Sequence, residues 1–311
     1  MTKHNRIAVY GHRGWASSAI VRALSDSGAP ITILHRASSD THGLPSGVKR
    51  IQVDINNREA LVAALQDIDI FISLVGHEGV QSQHAFVEAI PHTHVQLFCP
   101  SDLAARYDEQ GLQIPVNKAK DEVERAAKEA GIPTTVVLPG NFAEFALNTK
   151  AMGVDIPGNR IIFTGDSAEC RLNLCTRDYV AAAYASIFAA TPISQLRNRS
   201  ICLTELSPTG DEIAKALEEK NAAPPKTIVH SLEKVNNEIK SCLQSGSPFA
   251  LPWYCRKIWG NGKQASMVGS DVWNVGGCRK VGIRELIIDG QLEPYRDLPP
   301  QVGEYFESIF V

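Results

Sequence analysis

At 311 residues, 44% apolar and 21% charged, with a formal net charge of -3, the chain has the composition of a folded protein large enough for one big domain or for two that share a cleft. That balance excludes disorder, and it leaves no global field to draw the protein to nucleic acid or an anionic membrane. No apolar run reaches membrane-spanning length, "MTKHNRIAVY" lacks the apolar core of a signal peptide, and seven cysteines are scattered without a C-x-x-C pair, so a cytoplasmic protein with free thiols and no metal site is expected.

The first strand, "RIAVY" (6–10), stops at Gly11, and a helix pattern, "WASSAIVRALSDSG", begins once Gly14 has passed. In an open α/β sheet the loop after the first strand is where ligands bind. Gly11 supplies the tight turn and Gly14 lets the backbone approach a pyrophosphate, which the free N–H groups of the following helix would hold; Ser17 takes the third small position of this G-x-x-G-x-x-small pattern. His12, Arg13 and Trp15 project from the same loop, where Arg13 is either a phosphate partner or a solvated arginine.

Strand two, "ITILH" (31–35), is followed by Arg36, Ser38 and Ser39 with no acid, which favours NADP(H) over NAD(H). Strand three, "VKRIQVD" (48–54), ends at Asp54, an adenine partner or a loop cap. After the helix "NREALVAALQD" comes strand four, "DIFISLV" (69–75), whose Ser73 and Gly76 are expected to pass close to a cofactor. The helix "SQHAFVEAI" leads to strand five, "HVQLFC" (94–99), with Pro100 at the cofactor edge; Cys99 is read as a small hydrophobe, and His77, His92 and His94 are given no role. The helix "NKAKDEVERAAKEAG" carries Lys118 and Lys120 in its first turn, and strand six is "TTVVLP" (134–139). This alternation predicts a doubly wound parallel sheet of six strands, a Rossmann-type nucleotide-binding domain over residues 1–150.

Beyond it the rhythm breaks into short strands ("NRIIFTGD", "CRLNLC", "KTIVHSL"), a helix capped by Thr176 and another at "TGDEIAKALEEKN". Residues 151–311 are expected to cover the substrate side of the sheet without folding on their own. Trp253, Tyr254, Trp259 and Trp273 either shape an aromatic pocket or fill the core.

None of the seven tyrosines is followed four residues later by Lys, so the commonest proton-donor pair of such sheets is missing. Lys120 can hold a nicotinamide ribose and act as acid or base, or it can be a surface lysine paired with Asp121 or Glu124. The glycine pattern at 11–17, Arg36, "FCPSDL" (98–103), Lys120 eleven residues before Gly131, and "VVLPGNFAEFAL" (136–147) together resemble the NmrA-like and isoflavone-reductase-like branch of the short-chain dehydrogenases. The resemblance implies a lone catalytic Lys120, cofactor contacts from Gly11, Arg13, Gly14 and Arg36, and a pocket lined by Asn141 and Phe142, with Phe145 beside them. It further implies an NADPH-dependent reductase of a small aromatic or polyketide-like metabolite. Two other readings stay open: a non-catalytic NADP(H) sensor acting through a protein partner, and a redox-neutral isomerase or dehydratase. The expected partner is a small-molecule substrate, with homodimerisation left open.

Overall fold

The computed structural model describes residues 4–310. Five parallel strands, β1 (Ile7–Tyr10), β2 (Ile31–His35), β3 (Lys49–Gln52), β4 (Ile70–Ser73) and β5 (Leu97–Cys99), pair in the order β3-β2-β1-β4-β5. Strand order reverses at β1, which puts a crevice at the carboxyl ends of β1 and β4. The inner strands are apolar without a break because both faces are covered. β1 sends Ile7 and Val9 into one core and Ala8 and Tyr10 into the other. On the first face lies α1 (Trp15–Asp26); on the second lie α2 (Arg58–Leu65), α3 (Gln83–Ala89) and α4 (Pro115–Glu129). Phe71 stacks between Phe86 and Phe98 on that second face, with ring centroids 4.4 and 5.5 Å away.

The sheet continues past β5. Phe98 bridges Thr134, its N–H donates to Pro133 O at 2.9 Å, and β6 (Thr135–Leu138) follows in the sixth place. Farther along the chain, after the two-residue strands β7 (Asn141–Phe142) and β8 (Val154–Asp155), β9 (Arg160–Thr164) and β10 (Leu174–Cys175), β11 (Arg199–Cys202) pairs in parallel with β6 and adds a seventh strand. The helices α5 (Ala143–Asn148) and α6 (Arg177–Phe188) precede β11, and α6 packs against α1 through Tyr179, Val180, Ala183, Tyr184 and Ile187. A division at residue 150 therefore cuts through one layered body: residues 177–202 return to cover and extend the nucleotide-side sheet, because the α1 face of β1, β2 and β4 needs a second helix to be shielded from water.

The rest builds the second side of the crevice. β7 pairs with β10, and β8, β9 and β12 (Lys226–His230) form a small mixed sheet. Around them run α7 (Gly210–Asn221), α8 (Leu232–Ser245), α9 (Ala250–Gly260), α10 (Gln264–Val268), α11 (Ile283–Ile287) and α12 (Pro300–Ser308). Thr176 caps α6 through its hydroxyl, which accepts from Tyr179 N–H. The tail aromatics are core residues: Trp259 is fully buried among Ala143, Ile161 and Ile213, Trp253 and Tyr254 fill the α8–α9 interface, and Trp273 packs on α6 with Nε1 donating to Ser186 Oγ at 3.0 Å. Among the described residues no helix is long and apolar enough to cross a membrane.

Candidate functional site

The crevice floor is built from loops that touch one another. Gly11 has φ +95°, and a Cβ there would stand 2.6 Å from Leu74 C and 2.7 Å from Val75 N, so the loop after β1 runs flush against the loop after β4. Ser101 ties the loop after β5 to the same place, its hydroxyl donating to Val75 O at 2.6 Å and its N–H to Gln83 Oε1 at 2.9 Å. Pro100 is buried in that join. Gly14 is the N-cap of α1 with no side-chain cap, so the first N–H groups of the helix are open to a ligand. Ser17 is buried and folds its hydroxyl back onto Gly14 O at 3.1 Å, a satisfied substitute for a third glycine. His12 is also buried; its Nε2 donates to Asp40 O at 3.0 Å, and burial holds its pKa below the ordinary value.

Arg13 and Arg36 are exposed at the rim, and neither forms an ion pair with a described residue. Asp54 caps its own loop: Oδ1 accepts from Asn56 N–H at 2.9 Å and from Asn56 Nδ2 at 3.2 Å. Ser73 is fully buried at the end of β4, its hydroxyl without a partner among the described residues. Gly76 is the exposed N-cap of the short turn His77–Ser82, with nothing within 4 Å of where its Cβ would be.

At the inner end of the crevice stands Lys120. Ala119, Val123 and Ala127 bury one stripe of α4 in the core, while Asn117, Lys120 and Glu124 form a neighbouring stripe that is polar yet sheltered. Each member finds a partner in the loop after β5: Asn117 Nδ2 donates to Gly111 O at 3.1 Å, Lys120 Nζ lies 3.5 Å from Asp102 Oδ1, and Glu124 pairs with Arg106 at 2.5 Å. The alternative pairings of Lys120 do not form, because Glu124 is taken by Arg106 and Lys128 and the carboxylate facing Lys120 comes from a non-local loop. Only 10% of the Lys120 side chain and 6% of Asp102's are exposed. At 3.5 Å the pair is Coulombic and not a short hydrogen bond, which leaves the ammonium donors free for a ligand. Asp102 is held by Tyr107, whose hydroxyl donates to Oδ1 at 2.6 Å and whose pKa is raised by burial and then by that carboxylate.

The facing wall is aromatic. Trp15 meets Phe142 edge-on at 5.2 Å and Tyr295 at 4.8 Å, and Tyr295 meets Phe145 at 5.7 Å. Asn141 is buried beside Phe142, its Oδ1 3.4 Å from Gln264 Nε2. Gln264 is itself locked, with Oε1 accepting from Asn173 N–H at 2.9 Å and Nε2 donating to Asn173 O at 3.0 Å. The Asn141 carbonyl therefore points at Gln264 and its NH2 is turned toward Cys255 of α9, whose thiol burial pushes up to about 11, with Asn141 and Lys120 pulling the other way.

The crevice thus brings together Gly11, Gly14, Trp15, Ser73, Gly76, Pro100, Lys120, Asn141, Phe142 and Phe145, while Arg13, Arg36 and Asp54 stay on its rim. Asp102, Tyr107, Cys255, Gln264 and Tyr295 join the crevice residues, although no motif in the sequence marks them as site residues. Asp102 alone carried a local signal, an acid just past a strand end. His77 also belongs to the crevice; protein crowding, then Lys120 and Arg296, push its imidazole down to about 4.

Behind the aromatic wall Glu144 is 2% exposed, with Oε1 accepting from Arg177 N–H at 2.8 Å and Oε2 unpartnered among the described residues. Burial, with Glu205 and Asp178 adding to it, raises its carboxyl from 4.5 to about 7. The folded chain then keeps a proton that the unfolded chain loses, so stability falls as pH climbs from the unfolded value through about 7, by up to about 3 kcal/mol. Glu144→Gln removes this dependence. Its melting temperature relative to wild type should rise between about pH 4 and pH 8, and a difference that stays flat over that range would show Glu144 ionised in the fold.

A family model described as the NmrA-like family matches residues 3–243. Over 181 residues the chain is 27% identical to eugenol synthase 1 of Petunia hybrida and 29% identical to phenylcoumaran benzylic ether reductase 1 of Arabidopsis thaliana. Each alignment covers 53% of this chain and 59% of the relative, so the chain spans less than two thirds of those relatives' length. A solved isoflavone reductase superposes on 99% of this chain and 100% of its own, with a TM-score of 0.72 at 20% identity. The NADPH complex of leucoanthocyanidin reductase from Vitis vinifera superposes on 98% of this chain and 99% of its own, with a TM-score of 0.70 at 18% identity. At such identities the superpositions establish a shared fold.

Proposed function

Because this chain belongs to the NmrA-like family and sets a sheltered lysine at the inner end of a glycine-floored crevice, we propose that it is an NADPH-dependent reductase of a small aromatic metabolite. The observation that carries the reading is Lys120 itself, out of solvent, countered by Asp102 and facing an aromatic wall. The floor fits a dinucleotide: the absence of a side chain at residue 11 lets the loops after β1 and β4 lie flush, and the uncapped start of α1 offers donors to a pyrophosphate. Arg13 and Arg36, free of carboxylates at the rim, suit phosphate oxygens, and Arg36 at the end of β2 is where a 2′-phosphate would lie.

When bound, the nicotinamide supplies the hydride. Lys120 would hold the ribose hydroxyls and give a proton to the oxygen that gains charge on the acceptor. Phe142, Phe145 and Trp15 would flank an aromatic substrate, and Asn141, its carbonyl held by Gln264, would line the pocket beside Phe142. The named relatives, which include a benzylic ether reductase, point the substrate class the same way.

The test is loss of NADPH absorbance against a panel of aromatic ketones, enones and benzylic ethers, with NADPH and NADH affinities measured alongside. Acceptor-dependent oxidation is expected, with NADPH bound about ten- to a hundredfold more tightly than NADH, the worth of one charge-assisted contact. Tight NADPH binding without consumption by any acceptor would turn the reading to a sensor or a redox-neutral enzyme.

A further inference from the structure

Between α11 and α12 the chain runs without regular structure through residues 289–299, yet this stretch reaches the start of α1 and the end of α5. Beyond the N–H bonds of Gln291 and Leu292 back to α11, two side chains hold it across the fold. Trp15, the first residue of α1, donates from Nε1 to Pro294 O at 3.3 Å, and Asn148 of α5 donates from Nδ2 to Glu293 O at 2.7 Å. Tyr295 then lies between the Trp15 and Phe145 rings.

The next residue, Arg296, is exposed, with its guanidinium carbon 5.6 Å from the Tyr295 ring centroid and no ion pair to a described residue. Its charge is felt by His77, which opens the turn after β4 on the opposite bank. Segment 293–296 therefore starts on the substrate side at α5, passes over the start of α1, and brings a cation toward the β4 side. The Trp15 bond sets the segment against the start of α1, whose first N–H groups have no side-chain cap and which follows the exposed Arg13 in the chain. A cation brought over an uncapped helix start suits an anion lying between them.

We propose that residues 293–296 form a strap over the bound dinucleotide and that Arg296 is a cofactor-binding residue, paired with the pyrophosphate. This rests on the dinucleotide reading given above. The strap must lift for the cofactor to leave, so Arg296 governs release more than capture.

The experiment measures NADPH and NADH affinity, and NADPH release by stopped-flow fluorescence, for wild type, Arg296→Gln and Arg296→Lys. Arg296→Gln should weaken both dinucleotides about tenfold, chiefly through faster release, since both carry the pyrophosphate. Arg296→Lys should restore part of the loss, and all three proteins should melt together because the side chain is exposed. An unchanged release rate in Arg296→Gln overturns the strap. A loss confined to NADPH overturns the pyrophosphate assignment and moves Arg296 to the 2′-phosphate. If wild type binds neither dinucleotide, the underlying reading fails and the strap falls with it, a result distinct from normal binding that ignores Arg296.

Discussion

Lys120→Arg is expected to bind NADPH within several-fold of wild type and to lose turnover by about a thousandfold, within the range general acid–base groups supply. The substitution separates two duties that one ammonium can perform. Arginine keeps the positive charge beside Asp102 and can hold ribose hydroxyls, but at working pH it does not give up a proton. Lys120→Ala would lose activity too, yet for a mixed reason. It leaves Asp102, 6% exposed, with Tyr107 as its only hydrogen-bond donor among the described residues, and breaking a buried pair from one side costs about 3–5 kcal/mol. The arginine variant avoids that cost, so its kcat and NADPH affinity, read beside its melting temperature, are the informative set. Turnover above about a tenth of wild type in Lys120→Arg would reduce Lys120 to an electrostatic support.

What made Lys120 legible in the sequence, and its partner illegible, is the difference between local and non-local order. α4 announces itself by periodicity, and the position of 120 beside the buried stripe of 119, 123 and 127 follows from helical spacing. Which carboxylate faces it depends on how the loop after β5 lies against the helix. That loop is set from outside, by Tyr254 of α9 donating to Asp108 Oδ1 at 2.9 Å and by Arg106 N–H donating to Met267 O at 2.8 Å. No pattern within residues 100–120 encodes those contacts.

The alternating first half was readable for a related reason. Strands buried on both faces are apolar throughout and stand out between amphipathic helices, whereas β11 and α6, distant in sequence, join the same layers only through packing. The aromatic wall shows the limit most clearly. Trp253, Trp259 and Trp273 drew attention by composition and proved to be core or packed against α6, while the tail ring that reaches the crevice is Tyr295, in a stretch with no periodicity at all.

Gly11 and Gly14 read alike in sequence, but their substitution by alanine should differ in its effect on stability. Gly11→Ala places a Cβ 2.6 to 2.8 Å from Leu74 C and O and Val75 N, all backbone, at φ +95°. The left-handed conformation alone costs about 1–2 kcal/mol, and the β4 loop cannot retreat without breaking the Leu74 N–H bond to Tyr10 O at 2.7 Å and the Ser101 bond to Val75 O. Gly11→Ala should therefore lower the melting temperature by several degrees, roughly 2–4 °C per kcal/mol in a chain of this size or larger, and abolish dinucleotide binding with it. Gly14 has ordinary φ, -67°, and its Cβ would meet only the Ser17 hydroxyl at 2.9 Å, the end of a side chain that can rotate away. Gly14→Ala should melt close to wild type and still lose NADPH affinity by tenfold or more, since what it blocks is the approach of a phosphate to the start of α1. Calorimetry and NADPH titration on the pair decide the matter. If Gly14→Ala binds NADPH as wild type does, no pyrophosphate lies over that helix, and the glycines serve the turn alone.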